Sequence, residues 1–349
     1  MVAYLDEQKR KIAAYLAGAL GRVDDHLAAV ADRLLEYTAR GKMIRGGLAV
    51  LGCDLFADPR EAAIIPVSAA LELIQSALLI HDDIMDRDEL RRGEVTLHRA
   101  YAREAAARSP ADADHVGDAL ATCAGDIAFF MAFQMVTEAD LAPGRTGRIV
   151  SLVARELQLT GAAQMKDVWL GAAPPDAEAP PEEEIIDLYR YKTARYSFSL
   201  PLTAGALAAG AGDKALAALD RLGEHLGIIF QIKDDELGLF GDEVKTGKPI
   251  GSDLREGKKT VMSGRLRGKI RGADRERFDR LFGNREIGVD DVAFVRDLVE
   301  RTGVRREMDD LVGEYARRCR DDLSRLTGAR REKVGWLERL LAYSIFRKW

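Results

Sequence analysis

An all-α fold is what this sequence predicts, and three observations predict it. Strand signals, meaning β-branched alternation bounded by turns, are nearly absent. Apolar residues recur at helical spacing, as in ALELIQSALLI (70–80), which is rich in Ala and Leu. Breaks fall where Gly and Pro gather: Asp58-Pro59, Arg108-Ser109-Pro110, Ala142-Pro143-Gly144 and the acidic, proline-rich GAAPPDAEAPPEEE at 171–184.

The elements then follow in order. The N-terminal MVAYLDEQKRKIAAYLAGAL mixes charges with apolar residues at helical spacing and lacks the unbroken apolar stretch of a signal peptide. Segments 70–80, 116–138, 146–168, 182–210, 215–240 and 289–326 read as helices. Glu182, Glu183 and Glu184 suit the first turn of the helix they open. No repeat of fixed period and no long low-complexity linker divides the chain. One domain over residues 1–349, a bundle of ten or more helices, is expected.

Composition narrows the function. The chain has 349 residues, 47% hydrophobic and 31% charged, with a net charge of -5, so bulk charge makes no case for nucleic acid. Cys53, Cys123 and Cys319 stand far apart without metal-ligand spacing, and their odd number argues against a disulfide framework. The longest apolar run, IAFFMAFQMV, stops after ten residues, so no membrane span is expected and a cytoplasmic location is the default.

The run HDDIMDRDELRRG (81–93) carries the most chemistry. It sets Asp82 and Asp86 four residues apart, on one face of a helix, with Asp83 and Asp88 nearby and Arg91 and Arg92 following. Two such carboxylates repel unless a cation stands between them. Mg²⁺ suits an all-oxygen site and shares itself with substrate phosphates. Carboxylates for metal beside arginines for phosphate describe a diphosphate site; the plain alternative is a solvated charged helix. A second constellation, FQIKDDELGLFGDEVKTGKPIGSDLREGKKT (230–260), closes an apolar helix on Asp234 and Asp235. It then runs into a Gly-rich loop with Lys245, Lys248, Lys258 and Lys259. Alone it reads equally well as a charged surface loop. The duplication gives it weight: two Asp pairs, each followed by basic residues, suit a diphosphate held with several Mg²⁺ ions.

These stretches resemble the trans-isoprenyl diphosphate synthases of the polyprenyl synthetase family, over most of the chain. HDDIMDRDELRRGEVTLH resembles the first aspartate-rich motif, with Val95 in place of the usual proline, and FQIKDDELGLFGDEVKTGKPIGSD resembles the second. GKMIR (41–45), AQMKD (163–167) and YKTARYSFSLPL (191–202) resemble three further elements, in the family's order.

The resemblance implies a bundle around a central cavity and head-to-tail condensation. An allylic diphosphate (dimethylallyl, geranyl or farnesyl) ionises, isopentenyl diphosphate attacks, and a proton is lost. It implies three Mg²⁺ ions, with Asp82 and Asp86 holding two and Asp234 the third, and Asp83 and Asp235 orienting ligands and waters. Arg91, Lys192, Lys248 and Lys258 would contact the allylic diphosphate, and Thr193 and Gln231 would stand beside the allylic cation. Lys42, Arg45 and Arg92 would form the metal-free isopentenyl site, with Gln75 where many members place His. Gln164 and Asp167 read either as pocket-lining or as a buried polar pair. The resemblance also implies a homodimer.

Three departures stand out. Gly238 occupies the place of the usual last aspartate of the second motif, with Asp242 and Asp253 as substitutes. Gly46 replaces a proline and Ala163 a glycine. Product length would be set upstream of Asp82, where aromatic residues act as stops in the family. Here those positions are Ala77 and Leu78, with Ile74 about 12 Å below Asp82. Phe130 and its neighbours Phe129 and Phe133 offer another floor, or plain core. The expected product is geranylgeranyl diphosphate (C20), with farnesyl or C25 and longer products as alternatives. Three rival readings differ at the motifs. A His-Asp metal phosphohydrolase, suggested by His81-Asp82, would need further His ligands, and none of the other His has helpful spacing. A class I terpene cyclase would carry a different second motif. A non-catalytic subunit of a heteromeric synthase would have lost an aspartate cluster, and DDIMD is intact.

Overall fold

The structure is a computed structural model that describes residues 1–58, 61–108, 110–172, 179–241 and 251–346. It is all-α apart from one two-residue hairpin, and has more than ten helices among the described residues. The chain forms two compact units. The first comprises Met1–Val153, Pro201–Leu216 and Gly328–Lys333; the second comprises Ala154–Leu200, Ala217–Thr327 and Val334–Trp349.

The first unit holds α1 (Val2–Leu20), α2 (Asp25–Ala39), α3 (Ile44–Asp54), α4 (Glu61–Asp86), α5 (Leu97–Ala106) and α6 (Ala113–Glu138). Its core is α4, on which Ile64, Val67, Ala70, Leu73, Ile74 and Ala77 are all buried. Two helical stretches, Ala63–Asp86 and Ala113–Glu138, are long and apolar enough to cross a membrane by length and composition. Neither is an unbroken apolar run: interspersed small and polar residues interrupt the run without lowering the average of a long window. For the first, 89% of that window is buried inside the protein, as a core helix requires; for the second the share is 44%.

Helix α4 ends abruptly after Asp86. Arg87 adopts φ 57°, and the Asp88 amide donates to the Asp83 carbonyl at 2.9 Å, a left-handed helix stop that here uses a non-glycine residue. The chain then turns back through a hairpin, β1 (Leu90–Arg91) against β2 (Glu94–Val95), with Leu90 opposite Val95. Its two central residues, Arg92 and Gly93, have φ of 56° and 79°. Positive φ at both positions is the mark of the tight turns that suit hairpin twist.

Helix α7 (Arg145–Ala172) runs from the first unit into the second. The segment expected as one helix over 182–210 is α8 (Glu182–Leu188), a π-helical stretch Tyr189–Ser199, and α9 (Leu200–Ala209). Hydrophobic period does not distinguish these hydrogen-bond registers, so the sequence carried no sign of the π stretch. Helix α10 (Asp213–Phe240) continues past Asp234 and Asp235 instead of closing on them. Then come α11 (Ser252–Glu256), α12 (Val261–Lys269), α13 (Gly272–Leu281), α14 (Val289–Arg301), α15 (Val304–Ser324) and α16 (Arg331–Phe346). The last predicted helix, 289–326, is broken at Gly303, whose φ is 74°.

Candidate active site

In the first unit the hairpin returns Arg91 to the end of α4. Asp83 is 1% exposed and fully bonded: the Tyr37 hydroxyl donates to Oδ2 at 2.8 Å and Arg91 Nε to Oδ1 at 2.6 Å. Arg91 Nη2 pairs with the same carboxylate, reaches Asp88 at 3.1 Å, and stands 3.6 Å from Asp82. Burial pushes the Asp83 carboxyl up to about 6, with Arg91 pulling the other way. Asp82 is half-buried and Asp86 exposed, both on the last two turns of α4. The three aspartates therefore divide: Asp83 ties the hairpin to the helix, Asp82 is half-buried near Arg91, and Asp86 is exposed.

The same hairpin brings Arg92 to the α2–α3 loop, where a Cβ placed on Gly41 would lie 3.1 Å from Arg92 Nη1. Lys42 follows directly and is exposed. Arg92's pKa sits below its ordinary value, first through partial desolvation, with Tyr37 and Glu72 opposing and Arg45 and Arg91 adding. Glu72, buried on α4, was not singled out in the sequence. It accepts the Gly46 amide at 2.6 Å and lies in the field of Arg45 and Arg92. Burial raises its pKa, against the pull of Arg45. Gln75, also buried, stands one turn beyond Glu72. GKMIR, the α4 carboxylates and the RRG hairpin thus meet within one unit.

His81 packs into α6 because Gly125 leaves room; a Cβ there would lie 2.3 Å from His81 Nε2. The Phe129 ring lies 5.8 Å from the His81 ring. Phe130 is 74% exposed. Successive helical residues are turned about 100° apart, so Phe129 meets α4 while Phe130 faces away. Ala77 and Ile74 are buried in α4, and Leu78 is half-buried one turn before Asp82.

The second unit repeats the device. Asp235 is buried; it accepts the Gln231 amide at 2.9 Å and the Tyr189 hydroxyl, which in turn accepts the Val261 amide at 3.1 Å. Burial raises Asp235 to about 8, with Asp253 adding to the rise. Asp234, next to it, is exposed. In both clusters one aspartate is buried under a tyrosine hydroxyl and its neighbour is more exposed. Neither tyrosine was foreseen, because each lies 46 residues from its aspartate and no local pattern links them. Thr193 donates to Gln231 at 2.9 Å, and Lys192 forms an ion pair with Asp167, joining the AQMKD and YKTARY elements. Gln164 is half-buried on α7.

At Gly238, a Cβ would meet Asp253 Oδ2 at 2.7 Å, so the Asp253 carboxylate already occupies the place of the missing side chain. Lys258 lies 3.7 Å from Asp253 and 3.2 Å from Glu256. A cavity of about 40 Å³ opens beside Asp235, Gly238, Asp253 and Lys258, large enough for a water molecule. Lys245, Lys248 and Asp242 lie outside the described residues.

No group of three or more His, Cys, Asp or Glu side chains is gathered to cage a metal among the described residues. That fits Mg²⁺, which takes one or two carboxylates and completes its shell with water and substrate phosphate. The carboxylates of Asp82, Asp86 and Asp234 are oxygen donors of the chemical kind such a shell takes.

An all-α fold in which each unit sets an aspartate pair beside cationic side chains suits an enzyme that acts on diphosphates. The chain belongs to the polyprenyl synthetase family, whose model matches residues 26–299. It is 32% identical over 267 residues to a geranylgeranyl diphosphate synthase of Sulfolobus acidocaldarius, covering 76% of this chain and 74% of that one. It is 30% identical over 342 residues to a geranylfarnesyl diphosphate synthase of Aeropyrum pernix, covering 95% and 98%. The structure superposes with a TM-score of 0.85 on a geranylgeranyl pyrophosphate synthase of Corynebacterium glutamicum complexed with isoprenyl diphosphate and magnesium. That match is at 27% identity and covers 99% and 98% of the two chains. The chain is therefore an isoprenyl diphosphate synthase. It is a prenyltransferase that joins isopentenyl diphosphate to an allylic diphosphate, releases pyrophosphate and uses a divalent metal.

Proposed function

We propose that this synthase makes geranylgeranyl diphosphate. The carrying observation is Ala77, a small, fully buried residue on the helix that presents Asp82 and Asp86. A growing chain directed along α4 meets no aromatic stop at Ala77 or Leu78; Ile74 is the next branched side chain on that helix. The Sulfolobus relative carries the same product name.

Asp82 and Asp86 in the first unit and Asp234 in the second would hold Mg²⁺, three ions in all, and the bound metal would supply charge neutralisation for the departing pyrophosphate. Asp83 and Asp235, fixed by Tyr37 and Tyr189, orient those donors. Lys192, Lys258 and Arg91, with Lys248, bind the allylic diphosphate. Thr193 and Gln231, bonded to one another, set polar groups beside the developing cation. Lys42, Arg45, Arg92 and Gln75 bind isopentenyl diphosphate without metal, so that it does not ionise. The chain acts as one catalytic domain in the cytoplasm. It works as a homodimer through α6, where Leu120, Cys123, Ile127 and Phe130 follow heptad spacing. Leu120 and Phe130 are 45% and 74% exposed.

Chromatography of products formed by the purified chain from labelled isopentenyl diphosphate tests the reading. A C20 product is expected, and Ala77→Phe should shorten it. Farnesyl diphosphate as sole product, or a C25 product like that named for the Aeropyrum relative, would overturn the C20 assignment. Absence of any turnover by the chain alone would favour a subunit role.

A further inference from the structure

Arg195 lies three residues past Lys192 in the π-helical stretch and is 8% exposed. Its guanidinium grips Glu156 of α7 with two prongs, at 2.9 and 2.8 Å. It also reaches Glu224 at 3.0 Å and Asp220 at 3.1 Å, one turn apart on α10. Arg190 bonds the same Glu224 at 2.8 Å, and Ser199 bonds the same Asp220. The cluster therefore clamps both ends of the π stretch to α10 and its middle to α7.

The backbones touch where the clamp acts. A Cβ on Gly223 would lie 2.4 Å from Ser199 Cα, and one on Gly227 would lie 2.3 Å from Ala194 Cα. These two glycines, four residues apart, let α10 rest directly on the π stretch. One turn beyond Gly227 stands Gln231, bonded to Thr193, and one turn beyond that Asp235, bonded to Tyr189. Thr160 of α7 also donates to the Tyr191 carbonyl at 3.2 Å.

Stability alone does not account for such a cluster. Desolvation offsets much of the attraction in a buried ion group, and apolar replacements are often neutral or stabilising. What directional bonds to a planar guanidinium supply is register. A π stretch is a rare conformation; relaxing it to α would change the rotation per residue and so turn Lys192 and Thr193 relative to Arg195 and its partners.

We propose that Arg195 is a positioning residue: it fixes the register of the π stretch against α10, and so aims Lys192, Thr193 and Gln231 at the allylic substrate. The inference rests on the roles proposed above for those three residues. The test is Arg195→Lys, which keeps the charge and loses the fork. Turnover should fall about 10–100-fold, as for a small misplacement of reacting groups. The KM for isopentenyl diphosphate, whose proposed residues lie on the α2–α3 loop, α3, α4 and the hairpin, should not move. In a double-mutant cycle, Arg195→Lys should add little to Gln231→Ala, because both act on the placement of Thr193. Glu156→Gln, which preserves shape, should give the same turnover-only loss if the lysine variant folds poorly. Unchanged turnover in folded variants with only a lower unfolding midpoint, or fully additive effects in the cycle, would overturn the inference. If Gln231→Ala and Thr193→Ala themselves leave turnover intact, the underlying assignment fails instead.

Discussion

Gly46 stands where the family pattern places proline, and restoring the proline should weaken this protein. Met43 caps α3, so Gly46 is the third residue of its first turn and its amide has no acceptor within the helix. The acceptor is Glu72 Oε1 at 2.6 Å, on a carboxylate 4% exposed. Proline there removes the donor. Losing a hydrogen bond to a buried charged group costs about 1.5–3 kcal/mol. Stiffening of the unfolded chain returns about 0.4–1 kcal/mol. Any side chain at 46 also meets Ile12 Cδ1 at 2.6 Å and the Ser68 carbonyl at 3.0 Å. That crowding costs about 1–3 kcal/mol, and alanine shares it. Gly46→Ala therefore isolates the crowding, and Gly46→Pro should fall a further ~1–2 kcal/mol below it. Urea unfolding followed by circular dichroism measures the gap. A proline variant as stable as the alanine variant would refute the account, because the Glu72 bond would then contribute nothing.

Glu72 also gives a pH signature: its folded pKa lies above the ordinary carboxylate value, so folding takes up a proton. Wild type should be most stable relative to Glu72→Gln below the ordinary Glu range and lose that advantage as pH rises through the higher folded value; a flat difference in melting temperature would contradict it. Asp86→Asn should cut turnover at least about 100-fold and reduce the melting-temperature rise caused by Mg²⁺, which a thermal shift titration reads. Phe130→Asp should convert a dimer to monomer in size-exclusion chromatography with light scattering, and an unchanged mass would remove α6 from the interface. Gly238→Asp should destabilise the protein, and Asp253→Asn in the same chain should relieve part of that loss; additive losses would show the two positions to be independent.

The sequence made the helices and the two aspartate clusters legible because both depend on local spacing. Period 3.6 is visible in ALELIQSALLI, and Asp82 and Asp86 share a face through spacing alone. What stayed hidden depends on partners far along the chain. Tyr37 and Tyr189 are ordinary helix residues until their hydroxyls meet aspartates 46 positions away. Glu72 reads as one polar residue in an apolar helix until Gly46 arrives at its carboxylate. The π stretch was invisible for a different reason: the same side chains fit either register, and packing through Gly223 and Gly227 with the Arg195 clamp selects between them. The phase of Phe129 and Phe130 was not legible, since one residue separates a ring against His81 from one that is exposed.

The departures from the family pattern show how a motif changes without losing its chemistry. At position 46 the proline is gone, and the amide it lacked now serves a buried glutamate. At position 238 the aspartate is gone, and a carboxylate from fifteen residues onward, Asp253, fills the space its side chain would take. In each case the substituted residue is glycine, which leaves room for another chain segment to approach, and in each case a carboxylate does so. Asp253 also contributes to raising the pKa of Asp235, so negative charge beside the buried aspartate is kept although the motif has one aspartate fewer. A count of motif letters registers a lost ligand at 238. The geometry registers a carboxylate delivered by another route, with Lys258 3.7 Å from it. For a diphosphate site the relevant quantity is the charge and donor set presented in space. By that measure the second unit keeps a carboxylate beside Asp235 and a lysine within reach of it, although the motif has lost a letter.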